Sequence, residues 1–277
     1  MIKILGIETS CDETAAAIVT DDKQILANII LSQQEHIEFG GVVPEVAARA
    51  HLDHIDSIIE QALSEAKLTL DDINALAVTA GPGLIGGVMV GAITAKAISL
   101  VTKKPLIAVN HLEGHALTAR LTENIEFPYL LLLVSGGHCQ LLIIEQVGKY
   151  KLLGSTLDDA LGECFDKCAK LLGLGYPGGP QVEKLASNCK NPKQAIKKYP
   201  LPKSMVGRDN CDFSFSGMKT AVKKIIDTLP EQVPLNEAED ICYSFQYHIE
   251  KILLDRVGRA IFQYKNLYPE HKNKCLV

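Results

Sequence analysis

The chain opens on apolar, β-branched runs separated by short polar breaks. Ile2 to Ile7 is apolar, Glu8 to Thr14 polar, and Ala15 to Val19 apolar again. Asp21-Asp22-Lys23 then turns the chain into Ile25 to Leu31. This pattern predicts an antiparallel three-stranded meander with polar tips. After Pro44 the period changes. Val46, Ala50, Ile55, Ile58, Ile59 and Leu63 recur at helical spacing, which predicts a helix through Ala66. A strand from Ile73 to Thr79, a glycine-rich loop from Gly81 to Gly87, a small-residue helix to Val101 and a strand from Pro105 to Val109 follow. Strands alternating with helices predict an α/β class.

At Tyr129 the pattern restarts. Tyr129 to Val134 and Gln140 to Glu145 read as strands joined by the turn Ser135-Gly136-Gly137-His138, with a third strand over Tyr150 to Gly154. A second meander followed by helices predicts two related lobes with a cleft between them. The expected division is 1–110 and 111–277. Helical spacing marks Asp158 to Leu172, Gly178 towards Cys189, Ser216 to Leu229 and Asn236 to Tyr264. The polar stretch from Asn188 to Asp212 reads as a solvated loop. Lys274-Cys275-Leu276-Val277 reads as the first half of a strand.

Composition narrows the picture. At 277 residues with 47% hydrophobic and 22% charged residues, the chain can bury a core of its own. Only 5% is aromatic and Trp is absent, so the core is expected to be aliphatic. The net charge of −5 gives no bulk attraction for nucleic acid, so an RNA partner would need a local basic patch. Lys190, Lys193, Lys197, Lys198, Lys203 and Arg208 form the one dense basic cluster and are the first candidates for phosphate contact. Eight scattered cysteines without a CxxC pair, and no leader, point to a reducing cytoplasm. No apolar run reads as long enough to cross a bilayer.

His111-Leu112-Glu113-Gly114-His115 follows a strand. On a helix the two imidazoles share a face and can bind one divalent metal, for which a third ligand is then needed. Glu113 falls round the helix from them, so this is not the HExxH arrangement of zinc peptidases. His51 and His54, three apart, are assigned to a solvated helix face. The Ser135–His138 turn offers backbone N–H groups to a phosphate or carboxylate. Asp12 and Glu13 set two carboxylates at the first hairpin tip. Asp159, Glu163 and Asp166 share one face of the helix expected from Asp158.

Taken in order, these motifs resemble one family over the whole chain. They are Gly6-Ile7-Glu8-Thr9-Ser10-Cys11-Asp12-Glu13-Thr14, Gly40-Gly41-Val42-Val43-Pro44-Glu45, Gly81-Pro82-Gly83-Leu84, His111 to His115, Val134 to His138, Gly162-Glu163 with Phe165-Asp166-Lys167, Tyr176 to Pro180, and Phe213 to Gly217. They are similar to the bacterial TsaD proteins, tRNA N6-adenosine threonylcarbamoyltransferases. The resemblance implies a two-lobed, actin-like, sugar-kinase-like fold. It implies transfer of threonylcarbamoyl from its adenylate to N6 of adenosine 37, in tRNAs reading codons that begin with A, with AMP leaving. It implies that His111 and His115 hold a metal, iron before zinc. Val134, Ser135, Gly136, Gly137 and His138 would then hold the adenylate, with Asp166, Gly179 and Glu183 at its nucleoside end. It also implies tRNA, a paralogous TsaB-like subunit and a small TsaE-like ATPase as partners, and none in a membrane. The family's pattern continues past Cys275-Leu276-Val277 to a late Asp, the third metal ligand, which this chain lacks, along with the final strands and helices of its second lobe.

The chemistry is consistent with first principles. A mixed anhydride is already activated, so positioning and charge stabilisation suffice, and a carboxylate, Glu13 or Asp12, can take the amine proton. Two rival readings of the same residues are a metallopeptidase and a non-catalytic scaffold of the same complex.

Overall fold

The computed structural model describes residues 1–39 and 41–277. Gly40, first of the Gly40-Gly41 pair, lies outside the described residues. The chain divides into two compact units, Met1–Asn124 and Ile125–Val277. The division falls after Asn124 rather than at 110/111, because the segment carrying the histidine pair packs on the first unit's strands.

In the first unit β1 (Lys3–Glu8), β2 (Glu13–Thr20) and β3 (Ile25–Ser32) form the expected antiparallel meander. β4 (Ala75–Gly81) and β5 (Leu106–Asn110) continue the sheet in parallel, giving the order β3-β2-β1-β4-β5. Along β2 every second residue is buried, as period-two patterning requires. α1 (Pro44–Glu65) begins on its proline, whose missing N–H costs nothing in a first turn. Its Ile55, Ile58, Ile59 and Ala62 meet Leu5, Ile7, Ile18, Leu76 and Val78 of the sheet in an aliphatic core. α2 (Ile85–Thr102) packs on α1 and β4. At 18 residues and mean hydropathy 1.7 it is apolar and long enough to cross a membrane, contrary to the reading of the sequence. Gly87, Val90, Gly91 and Ala95 form its buried face, while Ile85, Met89, Ile93 and Leu100 are exposed. α3 (His111–Thr122) closes the unit.

The second unit repeats the meander in β6 (Tyr129–Val134), β7 (Cys139–Gln146) and β8 (Lys149–Ser155). Cys275–Val277 pairs in parallel with β6. Leu130 N–H donates to Cys275 O at 3.0 Å, Val277 N–H to Leu130 O at 2.9 Å, and Leu132 N–H to Val277 O at 2.8 Å. That segment stands to β6 as β4 stands to β1, so the likeness of the two units extends to the parallel neighbour. α4 (Leu161–Leu171), α5 (Gly178–Ala186), α6 (Pro192–Lys198), α7 (Ser216–Ile226) and α8 (Leu235–Leu267) follow. The few aromatics concentrate here: Phe213, Phe215 and Phe245 are buried with Leu130, Leu141, Ile143 and Ile252. The aliphatic core expected for the chain therefore describes the first unit only.

Two local expectations fail for identifiable reasons. α4 begins at Leu161, not Asp158. The Asp158 carboxylate is committed to the start of α7, accepting Phe215 N–H at 2.7 Å, Ser216 N–H at 3.1 Å and the Ser214 and Ser216 hydroxyls at 2.6 and 2.8 Å. Burial pushes this carboxyl up, and those bonds outweigh it and hold it below the usual aspartate range. The lysine-rich stretch contains α6 rather than loop alone, opened by Pro192 and anchored by buried Ala195.

Candidate active site

The first group of site residues is built where β1 ends and α3 begins. Asn110 caps α3, its side-chain oxygen accepting Leu112 N–H at 2.9 Å and Glu113 N–H at 3.3 Å. That cap fixes His111 as the first residue of the helix and sets His115 one turn on. The two Nε2 atoms face each other at 3.1 Å, with the rings nearly perpendicular at 87°. Two nitrogens bound to one ion at about 2.0–2.1 Å stand roughly 3 Å apart, so the pair fits a shared cation. Among the described residues no group of three or more His, Cys, Asp or Glu side chains is arranged to hold a metal.

The loop from Thr9 to Asp12 is pinned at every residue. Thr9 Oγ1 donates to Gly87 O at 2.8 Å and accepts Gly91 N–H at 3.1 Å. Ser10 O accepts Leu84 N–H at 2.8 Å, and Asp12 O accepts Gln33 N–H at 3.0 Å. Cys11 O accepts His51 Nε2–H at 3.1 Å. The result is that Ser10 Oγ stands 3.0 Å from His111 Nδ1. Glu8, at the end of β1, lies 3.5 Å from the same nitrogen. Burial pushes the Glu8 carboxyl up, but hydrogen bonds from His111, Ser10 and Thr79 outweigh it and hold it at about 2. Partial burial, then the charges of Asp12 and Glu8, push the Glu13 carboxyl up, while His111 pulls it down. A carboxylate made more basic suits a proton acceptor. The Cys11 thiol is pushed up to about 12 by desolvation and its acidic neighbours, which disqualifies it as a nucleophile.

His51 overturns its assignment to a solvated face. It is completely buried, its Nδ1 2.8 Å from the Thr14 hydroxyl, while His54 is partly exposed. A helix face read as polar at this position is turned inward because the loop carbonyl needs a donor there. Burial pushes the His51 imidazole below the ordinary histidine value, as it does His248 in the second unit. Below about pH 6.5 the unfolded chain takes up protons that these rings refuse. Their contribution is fully present above that pH and is lost as pH falls towards the depressed folded values. Each ring steepens the loss by at most about 1.4 kcal/mol per pH unit. Thermal melts at several pH values between 7.5 and 5 are expected to fall more steeply for the native chain than for His51→Gln. Parallel curves would show that His51 is not held neutral.

The second group lies in the second unit. Ser135 N–H donates to His138 O at 2.8 Å and Ser135 Oγ accepts His138 N–H at 3.0 Å, closing the β6–β7 turn. Gly136 and Gly137 are exposed, with nothing within 4 Å of an added Cβ. α4 starts against this turn. A Cβ on Gly162 would fall 2.8 Å from Gly136 Cα and 3.0 Å from Ser135 O, so only glycine lets the helix approach so closely. One turn on, Asp166 Oδ1 accepts Gly178 N–H at 2.7 Å, tying α4 to the start of α5 beside Gly179. α4 thus touches the turn at Ser135 and Gly136 and carries Asp166, which holds α5 at Gly178. Val134 and Gly137 flank the first of these contacts in the chain and Gly179 the second, and Glu183 is exposed one turn beyond Gly179 on α5. Asp159 and Glu163 are not bare acids: both pair with Lys167, at 2.6 and 2.8 Å. In the basic cluster Lys198 is bound to Glu237 at 2.7 Å; Lys190, Lys193, Lys197, Lys203 and Arg208 are exposed.

Glu8, Asn110 and Gly162 carried no assigned role in the amino-acid pattern. An Asn directly before a helical stretch is a capping signal that would have marked Asn110. Glu8 carries no such local signal.

A family model described as TsaD: tRNA N6-adenosine threonylcarbamoyltransferase matches residues 24–276. A Brucella anthropi protein named tRNA N6-adenosine threonylcarbamoyltransferase is 55% identical, covering 100% of this chain and 77% of its own length. A Rickettsia conorii protein of the same name is 54% identical, covering 100% and 79%. Among solved structures, component A of the (R)-2-hydroxyglutaryl-CoA dehydratase of Acidaminococcus fermentans aligns over 100% of this chain and 91% of its own. At TM-score 0.47 and 11% identity, that likeness is too slight to carry an argument.

Proposed function

The chain belongs to the TsaD family of tRNA N6-adenosine threonylcarbamoyltransferases, and on that premise we propose how its residues share the reaction. The enzyme transfers a threonylcarbamoyl group to N6 of adenosine 37 in tRNAs that read codons beginning with A. The donor is threonylcarbamoyl-adenylate. The N6 amine attacks the carbamoyl carbonyl carbon, the new C–N bond replaces the C–O bond to phosphate, AMP leaves, and the amine gives up a proton. A scaffold role and a peptidase role, the rival readings, are not favoured by relatives that carry the transferase name.

The observation that carries the site assignment is the convergence of His111 and His115 Nε2 at 3.1 Å. These two residues would supply two of the ligands of one divalent cation, Fe2+ before Zn2+, and no third is arranged beside them among the described residues. When bound, that cation supplies Lewis-acid polarisation of the carbamoyl-threonine group. The turn from Val134 to His138 takes the phosphate of the adenylate on the backbone N–H groups of Gly136 and Gly137, since those of Ser135 and His138 close the turn itself. The phosphate then lies beside the start of α4, whose dipole favours negative charge. Asp166 and Gly179 hold the nucleoside end, with Glu183 further along α5. Glu13, raised in basicity, accepts the amine proton, with Asp12 as its neighbour. No side chain needs to form a covalent intermediate, in keeping with a protonated Cys11.

The partners follow the same reading: tRNA, the adenylate, a TsaB-like paralogue and a TsaE-like ATPase, in the cytoplasm. Formation of the modified nucleoside and AMP in equal amounts, from purified adenylate and tRNA with those partners, tests the activity. Release of AMP without modified tRNA would overturn it. Lys190, Lys193, Lys197 and Lys203 are the proposed phosphate contacts, Lys198 being engaged elsewhere. Lys193→Glu with Lys197→Glu is expected to weaken tRNA binding by roughly tenfold. It should also flatten the dependence of log affinity on log salt by about 0.7–0.9 for each phosphate that is no longer neutralised. An unchanged salt slope would remove this face from the tRNA surface.

A further inference from the structure

The proposed metal reading uses only the Nε2 atoms of the histidine pair, yet the opposite nitrogen of His111 is held as closely. Its Nδ1 faces Ser10 Oγ at 3.0 Å and Glu8 Oε2 at 3.5 Å. Glu8 is in turn fixed from several sides. Its Oε1 accepts Ser10 N–H at 2.5 Å, its Oε2 accepts the Thr79 hydroxyl, and its backbone belongs to β1 between β2 and β4. An ionised carboxylate only accepts hydrogen bonds. A neutral imidazole has one N–H and one lone pair, so a proton held on Nδ1 leaves the lone pair on Nε2. Nε2 is the atom that faces His115.

We infer that Glu8, assisted by Ser10, is a positioning residue that fixes His111 in its Nδ1–H tautomer and aims the Nε2 lone pair at the point shared with His115. Its effect on metal affinity rests on the metal reading above; its effect on the tautomer does not. Histidines that hold metals commonly donate their other N–H to a carboxylate or carbonyl, and losing that partner weakens binding by about 10–100-fold. Ser10 cannot do this alone, because a hydroxyl both donates and accepts and leaves either tautomer open.

Glu8→Gln is the discriminating variant. It keeps the size of the side chain and an oxygen for Ser10 N–H, but sets an NH2 donor where the carboxylate oxygen faced His111. The first readout is nitrogen NMR of the histidine-labelled, metal-free full chain at about pH 8, where free imidazoles are neutral. The native chain is expected to carry the His111 proton on Nδ1, and Glu8→Gln to move it to Nε2. The second is a titration with Co2+ followed by visible absorption. Glu8→Gln is expected to bind at least about tenfold more weakly, and His115→Ala not at all. If Glu8→Gln does not fold, Glu8→Asp, which draws the carboxylate back from the ring, is expected to shift both readouts in the same direction. An Nδ1–H tautomer retained in the Glu8 variant, or Co2+ affinity within twofold of native, overturns the inference. A tautomer that moves in Ser10→Ala but not in Glu8→Gln also overturns it, in favour of Ser10. If the native chain takes up no Co2+, the metal reading falls and the tautomer comparison alone decides the role of Glu8.

Discussion

His115→Ala is expected to lower threonylcarbamoyl transfer by at least about 100-fold, equivalent to roughly 2.7 kcal/mol of transition-state stabilisation. The melting temperature should move by no more than about 2 °C. Both magnitudes come from position. His115 is exposed on α3, so truncating it removes little packing, and surface changes of this kind stay within about 0.5 kcal/mol. The same side chain contributes one of two converging nitrogens, and one imidazole without the other holds a divalent ion poorly. Metal content by elemental analysis should fall with the rate. A variant that keeps both its metal and its rate would remove this helix from the chemistry.

Gly154→Ala should have the opposite profile, a large loss of stability from a residue that touches no substrate. The added Cβ would lie 2.2 Å from both the carbonyl carbon and oxygen of Cys211 and 2.7 Å from Asp212 N. Those are backbone atoms, and they are held: Ser155 N–H bonds Asp212 Oδ1 at 3.1 Å and Phe213 N–H bonds Ser155 O at 3.0 Å. Overpacking costs about 1–3 kcal/mol where side chains can yield, and here none can, so the upper end or more is expected. The conformational gain of alanine over glycine returns at most about 1 kcal/mol. A drop in melting temperature of roughly 4–10 °C follows for a unit of this size. Gly137→Ala is the matched control, with nothing within 4 Å of its new Cβ. It is expected to leave the melt almost unchanged while weakening adenylate binding, because the methyl crowds the approach to the turn. Equal melts for the two variants would show that the 211–212 segment moves aside.

The periodicities alone carried most of the architecture. Both meanders, α1, α2 and α8 were legible, because an apolar period of two or near 3.6 follows directly from which face must leave water. The histidine pair, the Ser135–His138 turn and the acidic hairpin tip were legible as well, since each is a short motif whose geometry is local. What only the tertiary structure decided was long-range. His51 is buried because a loop carbonyl forty positions earlier needs a donor, which no periodicity encodes. Asp158 leaves its helix because the start of α7, far along the chain, offers four hydrogen-bond donors to its carboxylate. Lys198 is withdrawn from the basic face by Glu237 on another helix. Glu8 ends an ordinary strand in the sequence; it becomes part of the site because β1, β4 and α3 bring Thr79 and His111 to one carboxylate. The sequence specifies the faces that must be buried, and the fold then determines which polar groups, distant along the chain, have to satisfy one another.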